Sequence, residues 1–210
     1  AVFAVFGGMG VGAASWASRI PQVRGELDLT PKALGFAILG VAIGSLVSLP
    51  LAGIVVHRLG AERTIRVMSV VCAAGIAVMG LGVQIGLAPV IGGLVLAGFG
   101  NGMWDVATNV EGAAIEQRAG RSLLPRFHAG FSVGTVVGGV IGAAMNAAHV
   151  NVTVHMVTVA VLMAVGVPLA SRSFLPAVEE PHGEAAERRH PLAAWREPRT
   201  LLIGVFVMTM

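Results

Sequence analysis

Five long stretches without a charged side chain constrain the fold of this chain more than any other feature of its sequence. Asp, Glu, Lys and Arg are all absent from residues 1–18, 33–56, 67–104, 127–171 and 200–210. About 20 apolar helical residues cross a bilayer core that is about 30 Å thick, so the first two stretches fit one span each and the next two fit two each. The sequence therefore predicts an all-α polytopic membrane protein.

The predicted spans cover approximately residues 1–20, 33–56, 65–85, 90–110, 127–148 and 152–170. Charged residues and prolines return in residues 171–199, which predicts a cytoplasmic linker, and residues 200–210 predict the start of a seventh span. We expect Pro21 to end the first span and Pro125 to break the connection before the fifth. Because the sequence starts and stops inside apolar runs, we expect the seventh span to be truncated and the natural protein to be longer.

The composition excludes several classes of function. Only 12% of the residues are charged, against about a quarter in soluble domains, and the net charge of +3 comes from short segments between apolar runs, so binding to nucleic acid is not indicated. The single cysteine, Cys72, cannot form an intrachain disulfide or a cysteine-rich metal site. No cofactor or metal site is predicted. The catalytic pattern H-E-x-x-H is absent from the sequence and no two acidic residues lie together in a predicted span, which predicts no enzyme activity.

The distribution of basic residues predicts the orientation. The connections after spans two, four and six carry eleven Lys and Arg, and the alternate connections carry three. Because basic residues stay in the cytoplasm, the even-numbered span ends and the N-terminus are predicted to be cytoplasmic. An arginine-rich, tyrosine-free composition favours a bacterial source, so we expect a multi-pass protein of the bacterial inner (plasma) membrane.

Glycines recur at small-xxx-small spacing in the fourth and fifth predicted spans, for example at Gly98 and Gly102 and at Gly130 and Gly134. This spacing lets helix backbones approach closely in lipid. Neither glycine cluster completes a G-x-G-x-x-G pattern and no strand is predicted before either, so close helix packing is favoured over nucleotide binding.

One motif joins the second and third predicted spans on the predicted cytoplasmic side. It consists of Gly53, His57, Arg58, Gly60 and Arg63. The motif resembles the loop G-x-x-x-D-[RK]-x-G-[RK]-[RK] of the major facilitator superfamily, and six spans, a charged linker and a further span match the layout of that superfamily. The resemblance implies an N-terminal six-helix bundle of two three-helix inverted repeats, with a second six-helix half as its partner.

The motif departs from the superfamily pattern at the position of its acidic residue. His57 stands where the family has Asp, and Ala61 and Glu62 replace its basic pair. In the family this Asp helps to hold the two halves together through charge pairs. Here such a latch is expected to be weaker or dependent on pH, because a histidine changes charge near neutral pH.

Two further resemblances bear on the type of transport. Residues 130–139 resemble an antiporter motif, g-x-x-x-G-P-x-x-G-G, but Thr135 replaces its Pro. This difference lowers the expectation of drug or metabolite efflux, which stays an alternative. Residues 16–21 and 102–109 look loosely like bacterial sugar permeases, including fucose-type symporters. The implied function is secondary active transport of a small solute by alternating access, with protons as the coupling ion.

Asp105 is the one acidic residue inside a predicted span. A carboxylate at the centre of a span costs about 2.5 to 3.5 kcal/mol on insertion scales, so it is expected to face the bundle interior or a water-filled cavity. At 1.5 Å per residue from Val90, Asp105 lies about 22 Å inward. It is predicted to carry the coupling proton. A structural ion pair with Arg58, Arg118 or Arg121 is the alternative.

Other polar residues are candidates for lining a solute cavity. Asn109 lies one helical turn after Asp105, and His128 begins the fifth span with two hydroxyl residues on the same face. For each of these residues, helix packing or a bond to a backbone carbonyl is the alternative. His155 is predicted to be a hydrogen-bonded packing residue. The full candidate set is Asn101, Trp104, Thr108, Asn109, His128, Ser132 and Thr135.

Two remaining classes of function are distinguishable by experiment. A secondary transporter would accumulate its solute and lose accumulation when a protonophore is added. A passive channel or structural membrane subunit would ignore the proton gradient and would not need Asp105. The expected partners are therefore a small solute, protons and the lipid bilayer.

Overall fold

The computed structural model describes residues 1–174, and in this part of the chain it contains six α-helices and no β-strand. The predicted all-α fold is confirmed. Residues 175–199 of the predicted linker and the predicted seventh span at 200–210 lie outside the described residues. The helices are α1 (Val2–Glu26), α2 (Pro31–Leu59), α3 (Ala61–Gly82), α4 (Leu87–Ala119), α5 (Leu124–Ala147) and α6 (Val152–Ser171).

Five of the six helices, α2 to α6, are long and apolar enough to cross a membrane. The remaining helix, α1, has 25 residues but contains five glycines together with Arg19, Arg24 and Glu26, which reduce its hydropathy. Its role as a span stays a prediction. Buried residues occur along the whole length of α1, from Val2 to Val23, so α1 lies within the bundle.

The structure differs from the sequence predictions at two prolines, Pro21 and Pro125. α1 continues through Pro21 to Glu26 rather than ending there. Proline removes only one backbone donor, and a helix can continue past it with a bend. The break before α5 falls at Gly120, which has a left-handed backbone with φ of 60°. Pro125 lies in the first turn of α5, where its missing N–H costs no helical hydrogen bond.

The connection between α2 and α3 is a single residue, Gly60. Its φ of 80° lies in the region that favours glycine. The Gly60 amide donates to the Val56 carbonyl at 2.9 Å, and the Gly60 carbonyl accepts from the Thr64 hydroxyl at 2.7 Å. The connection is therefore hydrogen-bonded to both helices.

Helix packing follows a reciprocal pattern. α1 packs along α5, α4 packs along α2, and α3 packs against α6. If α1, α2 and α3 are exchanged with α4, α5 and α6 in that order, each pair becomes one of the same three pairs. This pairing is the arrangement that two three-helix repeats produce.

Glycines lie where the paired backbones approach most closely. A β-carbon on Gly134 of α5 would overlap the Gly7 carbonyl oxygen of α1, and one on Gly98 of α4 would overlap the Val41 carbonyl oxygen of α2. Gly139, on another face of α5, has open space beside it. The predicted packing role of the glycines thus applies to one helix face and not to every glycine.

Candidate functional site

Asp105, Asn109 and His128 form a polar group between α4 and α5, which we call the Asp105 cluster. Asp105 and Asn109 are half-buried on successive turns of α4. The Asn109 amide nitrogen donates to the Asp105 carboxylate at 3.1 Å and to the Asp105 backbone carbonyl at 3.0 Å. His128 at the start of α5 lies near Asp105, with no contact between the two side chains within 4.0 Å.

His128 is held by its own helix and by α1. Its Nδ1 atom lies 2.9 Å from the Leu124 carbonyl, and its ring packs at a tilt on Phe6, with 4.9 Å between ring centroids. The Phe6 ring also stacks near Phe127, with 6.4 Å between centroids. The imidazole is exposed at its other side, so it has a fixed position and access to its surroundings.

Asp105 makes no ion pair with an arginine in the described part of the chain. The salt bridge found among residues 1–174 joins Glu62 and Arg66 at the start of α3. The alternative of a structural pair with Arg58, Arg118 or Arg121 is therefore not seen. The hydrogen-bond partner of the Asp105 carboxylate is the neutral amide of Asn109.

Three other candidates on α4 have different surroundings. Trp104 and Thr108 are fully buried in the bundle, and the Thr108 hydroxyl donates to the Trp104 carbonyl at 2.8 Å. Both belong to the interior packing of this bundle. Asn101 instead lines a cavity of about 140 Å³ between the first four helices and α6, together with Trp16, Cys72 and Met163.

The hydroxyl candidates on α5 are exposed and bonded to their own helix. The Ser132 hydroxyl donates to the His128 carbonyl at 3.4 Å, and the Thr135 hydroxyl donates to the Phe131 carbonyl at 3.0 Å. Their face of α5 also exposes Val136. The structure thus separates these residues from the Asn101 cavity.

The motif between α2 and α3 is exposed at one end of the bundle. Gly53, His57, Arg58, Gly60 and Arg63 are all exposed. Within residues 1–174, the side chains of His57, Arg58 and Arg63 form no hydrogen bond or ion pair.

Glu62 and Arg66 make the contacts that the motif residues lack. Arg66 pairs with Glu62, and its Nε donates to the Ser171 hydroxyl at 2.9 Å. Ser171 in turn donates to the Pro168 carbonyl at 2.9 Å. Glu62, which departs from the family pattern, is therefore part of a contact that joins α3 to the end of α6.

Sequence reasoning missed two functional features. Glu116 in the last turn of α4 accepts from the backbone amides of Leu123 and Leu124 at 2.6 and 2.8 Å, and so caps α5. Arg19 is fully buried rather than part of an outer connection. Its place inside the predicted first span, one turn after Ser15, was the pattern that could have identified it.

The prediction for His155 is wrong within the described residues. His155 is only 3% exposed, yet neither ring nitrogen has a hydrogen-bond partner there. The spacing of valines around it predicted burial correctly, but a sequence pattern does not supply the partner. In the same part of the chain, no three His, Cys, Asp or Glu side chains come together as a metal site requires.

Five helices that are long and apolar enough to cross a membrane, packed together with α1 in reciprocal pairs, are the architecture of a polytopic membrane protein. The family model of the Major Facilitator Superfamily matches residues 1–210. The chain belongs to the major facilitator superfamily, as the motif between α2 and α3 predicted.

Two curated relatives agree with this assignment. The chain is 34% identical over 147 residues to an uncharacterized transporter, y4wD, of Sinorhizobium fredii, an alignment covering 70% of this chain and 38% of that protein. It is 28% identical over 173 residues to an uncharacterized MFS-type transporter of Yersinia pestis, covering 82% and 44%. The chain thus spans less than half the length of either relative. No solved structure is significantly similar to it.

Proposed function

We propose that this chain is part of a secondary transporter that moves a small solute by alternating access and couples the movement to protons through Asp105. The observation that carries the coupling is that the Asp105 carboxylate accepts from a neutral amide at 3.1 Å and has no arginine pair in residues 1–174. A fixed guanidinium would keep the carboxylate charged. A neutral partner leaves it able to gain and lose a proton.

Proton exchange at Asp105 has a consequence for helix movement. A charged carboxylate in a span needs water or donors, whereas a protonated one tolerates an apolar environment. Loading a proton therefore favours the conformation in which Asp105 is closed off, and release favours the open one. His128, fixed on α5 against Phe6 of α1, links this change to the α1–α5 pair.

The solute-binding part of this proposal rests on the Asn101 cavity. Asn101 and Trp16 face it with an amide and an indole ring among apolar side chains. An amide with a flat aromatic neighbour suits a polar, uncharged solute such as a sugar. A second six-helix half would complete the site, and the exposed apolar faces of α2 and α5 suit both that half and lipid.

The proposal is tested with the full-length protein in proteoliposomes that contain a pH dye. Sugars, organic anions and lipophilic cations are offered in turn, and the solute that moves protons is then used in two assays. Asp105→Asn should lower proton-driven accumulation by tenfold or more and should retain counterflow. Counterflow exchanges solute without requiring net proton release, so it needs no ionisation of Asp105.

Asp28→Asn is the matched control, since it removes the same charge from an exposed site between α1 and α2. Asn accepts the φ of 47° that Asp28 adopts, so the backbone should not change. Accumulation by Asp105→Asn equal to wild type would refute the coupling role. Wild-type flux that shows no counterflow and ignores a proton gradient would refute the transporter itself and favour a passive channel.

We also propose that the N-terminus and the Gly60 connection face the cytoplasm of a bacterial inner membrane. The excess of basic residues in the connections after α2 and α4 supports this orientation. In a Cys72→Ala background, Arg63→Cys should react with an impermeant thiol reagent only when the inner face is open, and Asp28→Cys should react from outside. The reverse pattern would overturn the orientation.

A further inference from the structure

A second polar group lies at the other end of α1. Ser15 and Arg19 on α1 and His155 on α6 form what we call the Arg19 cluster, and their side chains are 0%, 0% and 3% exposed. One guanidinium nitrogen of Arg19, Nη2, donates to the Val150 carbonyl. Within residues 1–174, Arg19 Nε and Nη1, both ring nitrogens of His155 and the Ser15 hydroxyl lack partners.

These unpartnered groups share a chemical need. Arginine offers only donors, and a buried charge is costly unless it is paired. Glu26 is near enough for its charge to act on Arg19, but the two form no salt bridge within 4.0 Å. The group that fits a guanidinium fork, an imidazole and a hydroxyl is an oxyanion.

Two residues of the cluster, Ser15 and His155, also line an apolar groove. The groove has a volume of about 690 Å³ and lies between α1, α5 and α6. Val154 and Leu162, which also line it, are 58% and 66% exposed, so the groove opens on the outer surface of the bundle. Its lining on α6 extends from Val154 to Ala170, about 24 Å at 1.5 Å per residue.

Length and position identify the occupant. One leaflet of the hydrocarbon core is about 15 Å thick, so the groove is long enough for the acyl chain of one leaflet. Arg19 contacts Val150 in the α5–α6 connection, at the end of the bundle where lipid headgroups lie. A guanidinium fork matches the oxygens of a phosphate headgroup.

We propose that the Arg19 cluster and this groove bind one membrane phospholipid. The phosphate accepts from Arg19, His155 and Ser15, and one acyl chain lies along α6 in the groove. This site is separate from the Asp105 cluster and does not depend on the transport proposal.

The test uses full-length protein in an alkyl maltoside detergent, native mass spectrometry and phosphatidylglycerol as the probe. Wild type should retain one phosphatidylglycerol per chain, and Arg19→Gln should lose it by tenfold or more. Arg24→Gln is the matched control, because Arg24 lies on the same helix at the same end but is exposed. It should retain the lipid. Arg19→Lys should retain part of the binding, since it keeps the charge without the fork.

A second variant tests the acyl chain independently. Gly166 lines the groove and has no atom within 4 Å of a β-carbon built on it, so Gly166→Phe should fill the groove without a clash. This variant should also lose the lipid. It keeps the proposal testable if Arg19→Gln fails to fold.

Three results would overturn the phospholipid site. Retention of the lipid by folded Arg19→Gln would exclude the phosphate contact. Retention by Gly166→Phe would exclude the groove. Equal competition by inorganic phosphate would show that the cluster binds the free anion rather than a lipid.

Discussion

The Asp105 cluster and the Arg19 cluster bury polar groups near opposite ends of α1, but they differ in the source of their hydrogen-bond partners. The Asp105 carboxylate has its hydrogen-bond partner within the chain, the amide of Asn109. Arg19 and His155 leave four nitrogens without partners in the described residues. The first arrangement is suited to a change of protonation, and the second to a bound anion.

This difference shows why burial alone does not define a transport site. Both clusters place an ionisable group inside helices, and Arg19 is the more deeply buried of the two. What separates them is whether the surrounding groups can adapt when the charge changes. An amide and an exposed imidazole can adapt, whereas a buried guanidinium keeps its charge and needs a counterion.

The largest expected effect comes from moving α5, which carries a residue of the Asp105 cluster and packs along the helix of Arg19. Gly134→Ala should push α5 away from the Gly7 backbone and cost about 1–3 kcal/mol, as overpacked cores do. Thermal unfolding in detergent measures it as a lower midpoint. Gly139→Ala, on an open face of the same helix, should be neutral or stabilising by up to ~1 kcal/mol. Equal effects of the two variants would contradict the glycine interface.

A smaller effect is expected from removing the buried guanidinium of Arg19. In detergent free of phospholipid, Arg19→Met should raise the unfolding midpoint by about 2–4 °C, because it replaces a buried charge without a counterion by an apolar side chain. Differential scanning fluorimetry gives this shift, with Arg24→Met as the exposed control. A lower midpoint for Arg19→Met would mean that its bond to Val150 outweighs the burial cost, and the contrast between the clusters would weaken.

The smallest expected effect is that of Asn109→Ala, which distinguishes proton coupling from solute binding at the Asp105 cluster. Asn109→Ala removes about 1 kcal/mol of hydrogen bonding, so the initial rate of proton-driven uptake should fall about fivefold. Counterflow by Asn109→Ala should stay within about twofold of its parent, both in the wild-type protein and in the Asp105→Asn background. Asn101→Ala, in the cavity, should instead lower both rates. If Asn109→Ala lowers counterflow as much as uptake, Asn109 contacts the solute.

Charge-free stretches predicted the helical fold because the cost of charge in lipid acts on every residue of a span. The order of the helices and the pairing of Asp105 with Asn109 follow from the same reasoning, since residues four apart share a helix face. Helix ends were less predictable. α1 continues past Pro21 because tertiary packing supports the helix where local propensity weakens it.

Contacts between helices account for the rest of the differences. Nothing in the sequence says that Trp104 and Thr108 face the bundle interior while Asn101, three residues earlier than Trp104, faces a cavity. Nor does it say that α6 brings His155 beside Arg19, 136 residues away in the chain. Such contacts depend on the rotation of each helix about its axis. The sequence does not determine this rotation, because small apolar residues lie on several faces of each helix.

The single-residue connection at Gly60 has a mechanical consequence for α2 and α3. A joint of one residue, bonded to Val56 on one side and Thr64 on the other, has no slack. The ends of the two helices at Gly60 must therefore move together, and a displacement of the exposed end that carries His57 and Arg63 reaches the start of α3 and, through Arg66 and Ser171, the end of α6. A cross-link that restrains one of the two helix ends at Gly60 would also restrain the other.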